Sequence, residues 1–123
     1  MKLLIIGHPR CGKTTLADKT LGLMAQDPYN HRPWIVHTDD LVKVYEWSVF
    51  SDKVCDLLQQ PGPWIIEGCS AVRGLRKYLR AGHKVDFEVV WLDNPHIPLK
   101  GNQIGFAASL TSIYKECKEM MKK

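Results

Sequence analysis

No stretch of this sequence approaches the roughly 18 to 20 consecutive apolar residues that a membrane-spanning helix requires. The opening Met1-Lys2-Leu3-Leu4-Ile5-Ile6 is also too short for the apolar region of a secretory signal. A cytosolic (cytoplasmic) location without membrane contact is the expectation. Paired cysteines are missing too. Cys11, Cys55, Cys69 and Cys117 are scattered with no C-x-x-C among them, which argues against a disulfide framework or a thiolate zinc site and leaves reduced thiols. The histidines, His8, His31, His37, His83 and His96, lack the close spacing of a metal site. Strong charge is absent as well: the formal net charge is +4, and basic residues concentrate only at Arg73, Arg76, Lys77, Arg80 and Lys84. That balance suits a small anionic substrate and by itself gives no argument for nucleic acid. With 123 residues, the chain is expected to form one domain, residues 1–123, around a single core.

What is present begins at residue 7. Gly7-His8-Pro9-Arg10-Cys11-Gly12-Lys13-Thr14 is a complete G-x-x-x-x-G-K-[ST] phosphate-binding loop, directly behind the apolar run Leu3-Leu4-Ile5-Ile6. Glycines at that spacing let backbone N–H groups turn inward around anionic oxygens, while the following helix aims the positive end of its dipole at them. Lys13 then reaches the β- and γ-phosphates of a nucleotide. Thr14 offers a hydroxyl to Mg²⁺, an ion that dehydrates reluctantly and keeps water and phosphate oxygens as its other ligands. Thr15 packs or helps cap the helix, and Arg10 turns either to a phosphate or to water. The expected nucleotide-binding set is Gly7, His8, Pro9, Arg10, Cys11, Gly12, Lys13, Thr14 and Thr15.

Apolar runs alternate with helical patterns, as expected of an α/β fold whose parallel sheet is wrapped by helices. Strands are expected over 2–6, 34–38, 64–67 and 85–92, the last alternating least cleanly because Asp86 and Glu88 precede Val89-Val90-Trp91-Leu92. Helices are expected after the loop, with Leu16, Thr20, Leu23 and Met24 on one side, and from about Leu41 with a break near Ser51, stopping at Pro61-Gly62-Pro63. A third carries Val72, Leu75 and Leu79 and ends at Gly82, and the last runs from about Phe106 to Met121. Trp34, Trp64 and Trp91 fall at strands and are expected to pack in the core. Tyr45, Trp47 and Phe50 either wall an acceptor pocket or pack in the core.

Two acidic positions stand at strand ends, where ligands of open parallel sheets bind. Asp39-Asp40 follows the second strand: one carboxylate there can orient a substrate hydroxyl or hold Mg²⁺ through water, while the other caps the helix that follows. Glu67-Gly68 ends the third strand. Its carboxylate either meets a cation, since an unpaired buried charge is costly, or bonds backbone amides. Thr14, Asp40 and Glu67 make the expected magnesium set.

With Gly7 to Thr15, Thr38-Asp39-Asp40 and Ile65-Ile66-Glu67-Gly68 in this order, the sequence resembles the small P-loop kinases of nucleosides and other small molecules. That group contains the uridine, nicotinamide riboside, shikimate, gluconate and adenylate kinases, and the double Asp and the Glu-Gly look most like the uridine and nicotinamide riboside kinases. The resemblance covers residues 1 to about 95. It implies a three-layer P-loop NTPase fold with strand order 2-3-1-4 and helices on both faces. It also implies ATP and Mg²⁺ as cofactors and a substrate-directed role for Asp39. An arginine after the third strand grips substrate or phosphate in such kinases, and Arg73 is the position chosen here, beside Lys13 and Asp39, as catalytic. Arg76, Lys77 and Arg80 are expected on the solvent side of the same helix.

The sequence departs from the family after Asp93. No arginine follows Arg80 where the family has an arginine-bearing lid, and Lys100, Lys115 and Lys118 either supply that charge or are ordinary surface lysines. ATP binding is therefore better supported than phosphoryl transfer. A fifth strand is missing as well, so the fourth is an edge that the last helix or a second copy of the chain is expected to cover. Four activities fit: a Mg²⁺-ATP kinase of a small hydroxylated molecule, an NTPase in which water replaces the acceptor, a non-catalytic nucleotide-binding module, and a nucleic-acid end kinase.

Overall fold

The computed structural model describes residues 2–8, 16, 18, 19, 34–38, 45–93 and 100–122, at positions 34 and 47 through the backbone alone. Four strands and three helices follow in the order β1 (Lys2–Gly7), β2 (Trp34–His37), α1 (Trp47–Leu58), β3 (Trp64–Glu67), α2 (Ala71–Arg80), β4 (Glu88–Leu92) and α3 (Asn102–Met121). All strand pairings are parallel, in the order β2-β3-β1-β4. The α/β class and this order agree with the sequence reading.

Leu3-Leu4-Ile5-Ile6 shows no polar alternation because β1 lies between β3 and β4 and is buried along these residues. One face of the sheet carries Leu4, Ile6, Val36, Trp64, Ile66, Val89 and Trp91. It meets Phe50, Val54 and Leu58 of α1, Val72 and Leu75 of α2, and Leu110, Ile113 and Cys117 of α3. Each fully buried apolar side chain of this size contributes about 1.5–3 kcal/mol. Among the described residues the other face carries a smaller cluster, Leu3, Ile5 and Ile65, against which Leu16, Ile35, Val90 and Leu92 pack. Leu16 is itself helical.

Two glycines sit where nothing larger fits. Gly7, at φ 149°, ends β1 beside Leu92, and a Cβ there would overlap the Leu92 carbonyl. Gly74 lets α2 cross α1 closely, since its Cβ would overlap the Val54 side chain. Ion pairs tie the helices from outside: Lys77 to Asp52 of α1 at 2.6 Å, and Arg76 and Arg80 to Glu116 of α3. Such solvent-facing pairs are worth at most about 1 kcal/mol each.

Several boundaries differ from the sequence reading, each for a local reason. The helix expected to break at Ser51 does not: the Ser51 hydroxyl donates to the Ser48 carbonyl at 3.0 Å and the residue is buried within α1. Tyr45 and Glu46 are not helical, so α1 begins at Trp47. Strand β4 starts at Glu88, three residues later than expected. Asp86 is drawn to Lys2 at 2.7 Å, and Phe87 turns into the core beside Trp64 and Tyr78. Helix α3 starts at Asn102, behind Gly101 at φ 57°, and the Gln103 side chain accepts from the Lys100 N–H at 3.2 Å. Among the described residues no strand pairs with β4 on its outer side, and no helix is long and apolar enough to cross a membrane.

Candidate functional site

The strands of a parallel sheet end together, so register decides which side chains meet at the carboxyl edge. Ile5 and His37 are both level with Glu67 on the neighbouring strands. His37 and Glu67 therefore project on the same face, the one that carries the smaller apolar cluster. Glu67 is 2% exposed, and its Oε1 lies 2.7 Å from Nδ1 of His37, whose side chain is 34% exposed. A carboxylate only accepts, so Nδ1 carries the proton in this bond. The contact offsets part of the cost of taking the Glu67 charge out of water. Neither sequence alternative, a bound cation or backbone amides, named this partner.

The surrounding backbone holds the strand ends together. The Thr38 N–H and hydroxyl both donate to the Glu67 carbonyl at 2.9 Å, and the Gly68 N–H donates to the Ile5 carbonyl at 3.1 Å. Thr38 is fully buried, as expected for a side chain whose hydroxyl is spent on the main chain.

Gly7 and His8, the first two residues of the phosphate-loop motif, stand next along this edge. The His8 N–H donates to the Leu92 carbonyl at 2.8 Å, which continues the β1–β4 ladder by one bond and commits that amide to the sheet. The His8 ring meets Trp91 edge to face at 5.4 Å between centroids, and Trp91 stacks in parallel on Tyr114 of α3 at 4.2 Å. His8 Nε2 lies 2.6 Å from the Thr111 hydroxyl of α3. That hydroxyl donates its single hydrogen to the Ala107 carbonyl at 3.0 Å, so Nε2–H is the donor to Thr111.

Arg73 lies in the first turn of α2, with its N–H donated to the Ser70 carbonyl at 3.0 Å. Burial, and then the Arg76 charge beside it, lowers the pKa of its guanidinium. With Ser48, Ser51, Arg76, Lys77 and Arg80 it lines a groove of about 230 Å³ between α1 and α2. The cations expected on the solvent side of α2 therefore do more than face water: Lys77 reaches α1, and Arg76 and Arg80 reach α3. Of the other aromatic candidates, Phe50 is core, and Tyr45 is exposed with Lys53 Nζ 5.6 Å over its ring. Among the lysines considered for a lid, Lys100 and Lys115 are exposed and Lys118 lies 5.6 Å over the Tyr114 ring.

The fold thus brings Gly7, His8 and Glu67 to one edge of the sheet and adds His37 and Thr111, which sequence reasoning had not placed in the site. Pro9, Arg10, Cys11, Gly12, Lys13, Thr14, Thr15, Asp39 and Asp40 lie outside the described residues. Among the described residues no group of three His, Cys, Asp or Glu side chains could hold a metal ion. The strand-end carboxylate of Glu67 is an oxygen donor of the kind that magnesium takes beside phosphate and water. No protein-family model matches the chain, and no curated protein matches it.

Proposed function

We propose that the chain is a kinase that carries the γ-phosphoryl group of Mg²⁺-ATP to a hydroxyl of a small molecule such as a nucleoside, nucleotide or sugar, on a P-loop NTPase fold with helices on both faces. One observation carries the reading. The G-x-x-x-x-G-K-T motif begins with the last residue of β1, between β3 and β4 in a parallel 2-3-1-4 sheet, and the buried carboxylate of Glu67 ends the adjacent strand. Open parallel sheets bind ligands beyond the carboxyl ends of their strands, and the motif chemistry selects a polyphosphate there. Packing of the helical Leu16 on the smaller cluster supports a second helical layer.

In this reading Lys13 holds the β- and γ-phosphates, and Thr14, Asp40 and Glu67 face the metal, which neutralises charge on the transferring group. Asp39 orients the acceptor hydroxyl and Arg73 grips substrate or phosphate. Catalysis of this kind is positioning and electrostatic stabilisation, so loss of one central cation costs on the order of 10² to 10³ in rate. The test follows ADP release from Mg²⁺-ATP with a panel of nucleosides, sugars, small acids and an oligonucleotide, beside Lys13→Ala. Acceptor-dependent ADP that Lys13→Ala abolishes is the expected result. ADP formed with water alone makes the protein an NTPase, and no ADP despite ATP binding makes it a nucleotide-binding module.

A further inference from the structure

His8 is anchored on three sides: its N–H on β4, its ring edge on Trp91, and its Nε2–H on Thr111 of α3. A residue inside a phosphate-binding motif ordinarily faces a ligand or solvent. This one instead joins the motif to a helix that begins after the last strand. Trp91 is held in turn by Tyr114, one helical turn beyond Thr111, so the same face of α3 supports His8 directly and through an aromatic neighbour. Thr111 is committed as well, because its hydrogen goes to Ala107 and only its lone pairs are left for His8.

We propose that α3 is part of the nucleotide-binding apparatus, with His8 and Thr111 as positioning residues that fix where the phosphate-binding motif leaves β1. Their contact raises affinity for the triphosphate group. This rests on the reading of the chain as a Mg²⁺-ATP-binding protein. A motif entry held in one geometry loses less freedom when a ligand binds, and removal of the anchor appears as weaker binding. Linkage requires the reverse effect too: an occupied site steadies α3.

The experiment measures Mg²⁺-ATP and inorganic triphosphate binding by calorimetry to the full chain, to Lys13→Ala, and to Thr111→Val, Thr111→Ser, His8→Ala and the His8→Ala/Thr111→Val double variant. Melting temperature is recorded for each, and hydrogen exchange of α3 is followed with and without Mg²⁺-ATP. Thr111→Val keeps the side-chain shape and removes the hydroxyl. It and His8→Ala are each expected to weaken both ligands about tenfold, with the double variant no weaker than His8→Ala alone. Thr111→Ser is expected to restore binding, and nucleotide is expected to slow exchange around Thr111 in the parent chain and not in Thr111→Val. Unchanged ligand affinity in Thr111→Val, alone or with a lowered melting temperature, overturns the inference and leaves the contact a packing feature. Failure of the reading beneath it looks different: the parent chain then binds neither ligand, as Lys13→Ala does, and the positioning role falls with it.

Discussion

The two faces of the sheet divide the labour of this molecule unequally. On one, α1, α2 and α3 close over a continuous apolar layer whose largest members, Trp64 and Phe50, are fully buried. On the other, the apolar cluster formed by the described residues is smaller, and the same strands end in a buried Glu67 paired with a half-buried His37. Alternation along β3 makes the difference: Trp64 and Ile66 point one way, Ile65 and Glu67 the other. A charged side chain is tolerable where a neighbouring strand can supply a donor, and the edge of a sheet is where that donor can also stay in reach of water. Among the described residues, the larger apolar cluster lies on the face of the three helices and the Glu67–His37 pair on the opposite one.

The sharpest way to break that comparison is to remove the same three carbons from each face. Leu→Ala in a packed core costs about 2–5 kcal/mol according to how well the site collapses. Leu4→Ala, at a fully buried residue, is expected near the top of that range and Leu3→Ala, at a residue 5% exposed, below it, read from urea unfolding midpoints, and equal costs would show the second face to be as tightly packed as the first. Next in size, Gly74→Ala drives a methyl group into Val54 and is expected to cost about 1–3 kcal/mol. Val54→Ala in the same chain should make the pair less costly than the two changes summed. On the polar face, His37→Ala removes the donor to a buried carboxylate and is expected to cost about 1–2 kcal/mol, with His37→Gln recovering much of it. If the chain is the proposed kinase, Glu67→Gln is expected to keep the unfolding midpoint and lower acceptor-dependent ADP release.

The smallest effect lies on the outside. The Glu116 carboxyl is held below its ordinary 4.5, chiefly by the hydrogen bond from Arg80, and Asp86 below its ordinary 3.8, chiefly by that from Lys2. Their folded pKa values lie under the unfolded ones. The stability they add is therefore complete above those ordinary values and is lost as pH falls through the lowered ones. Acid unfolding of Glu116→Gln should show a flatter limb there, and added salt should shrink the difference. At the other end, burial pushes the Cys117 thiol up to about 12. It stays protonated in the folded protein, and the stability this gives is full below about 9 and falls as pH rises from there toward 12.

Local signals carried most of the fold. The unbroken apolar run of β1 marked a strand, and Gly82 with the helical spacing of Val72, Leu75 and Leu79 marked α2. Strand order came with the kinase resemblance, because no local pattern encodes which strands are neighbours. Misplaced boundaries have two causes: a tertiary contact at Phe87, which leaves the strand pattern to fill space beside Trp64, and a local bond at Ser51, which stays helical with its hydroxyl satisfied within α1. The site was legible where a motif is contiguous and illegible where two segments had to meet. His37 fell inside an expected strand with no partner indicated, since its partner is fixed by register between β2 and β3. Thr111 gave no signal at all, because helix phase and packing, which spacing alone does not give, bring it to His8.

That last contact joins positions separated by 103 residues. A growing polypeptide presents His8 directly behind β1 and the Thr111 hydroxyl only after all four described strands have been made. The four strands thus enter the chain before His8 can gain its partner on α3, and that contact closes across the whole sheet-forming segment.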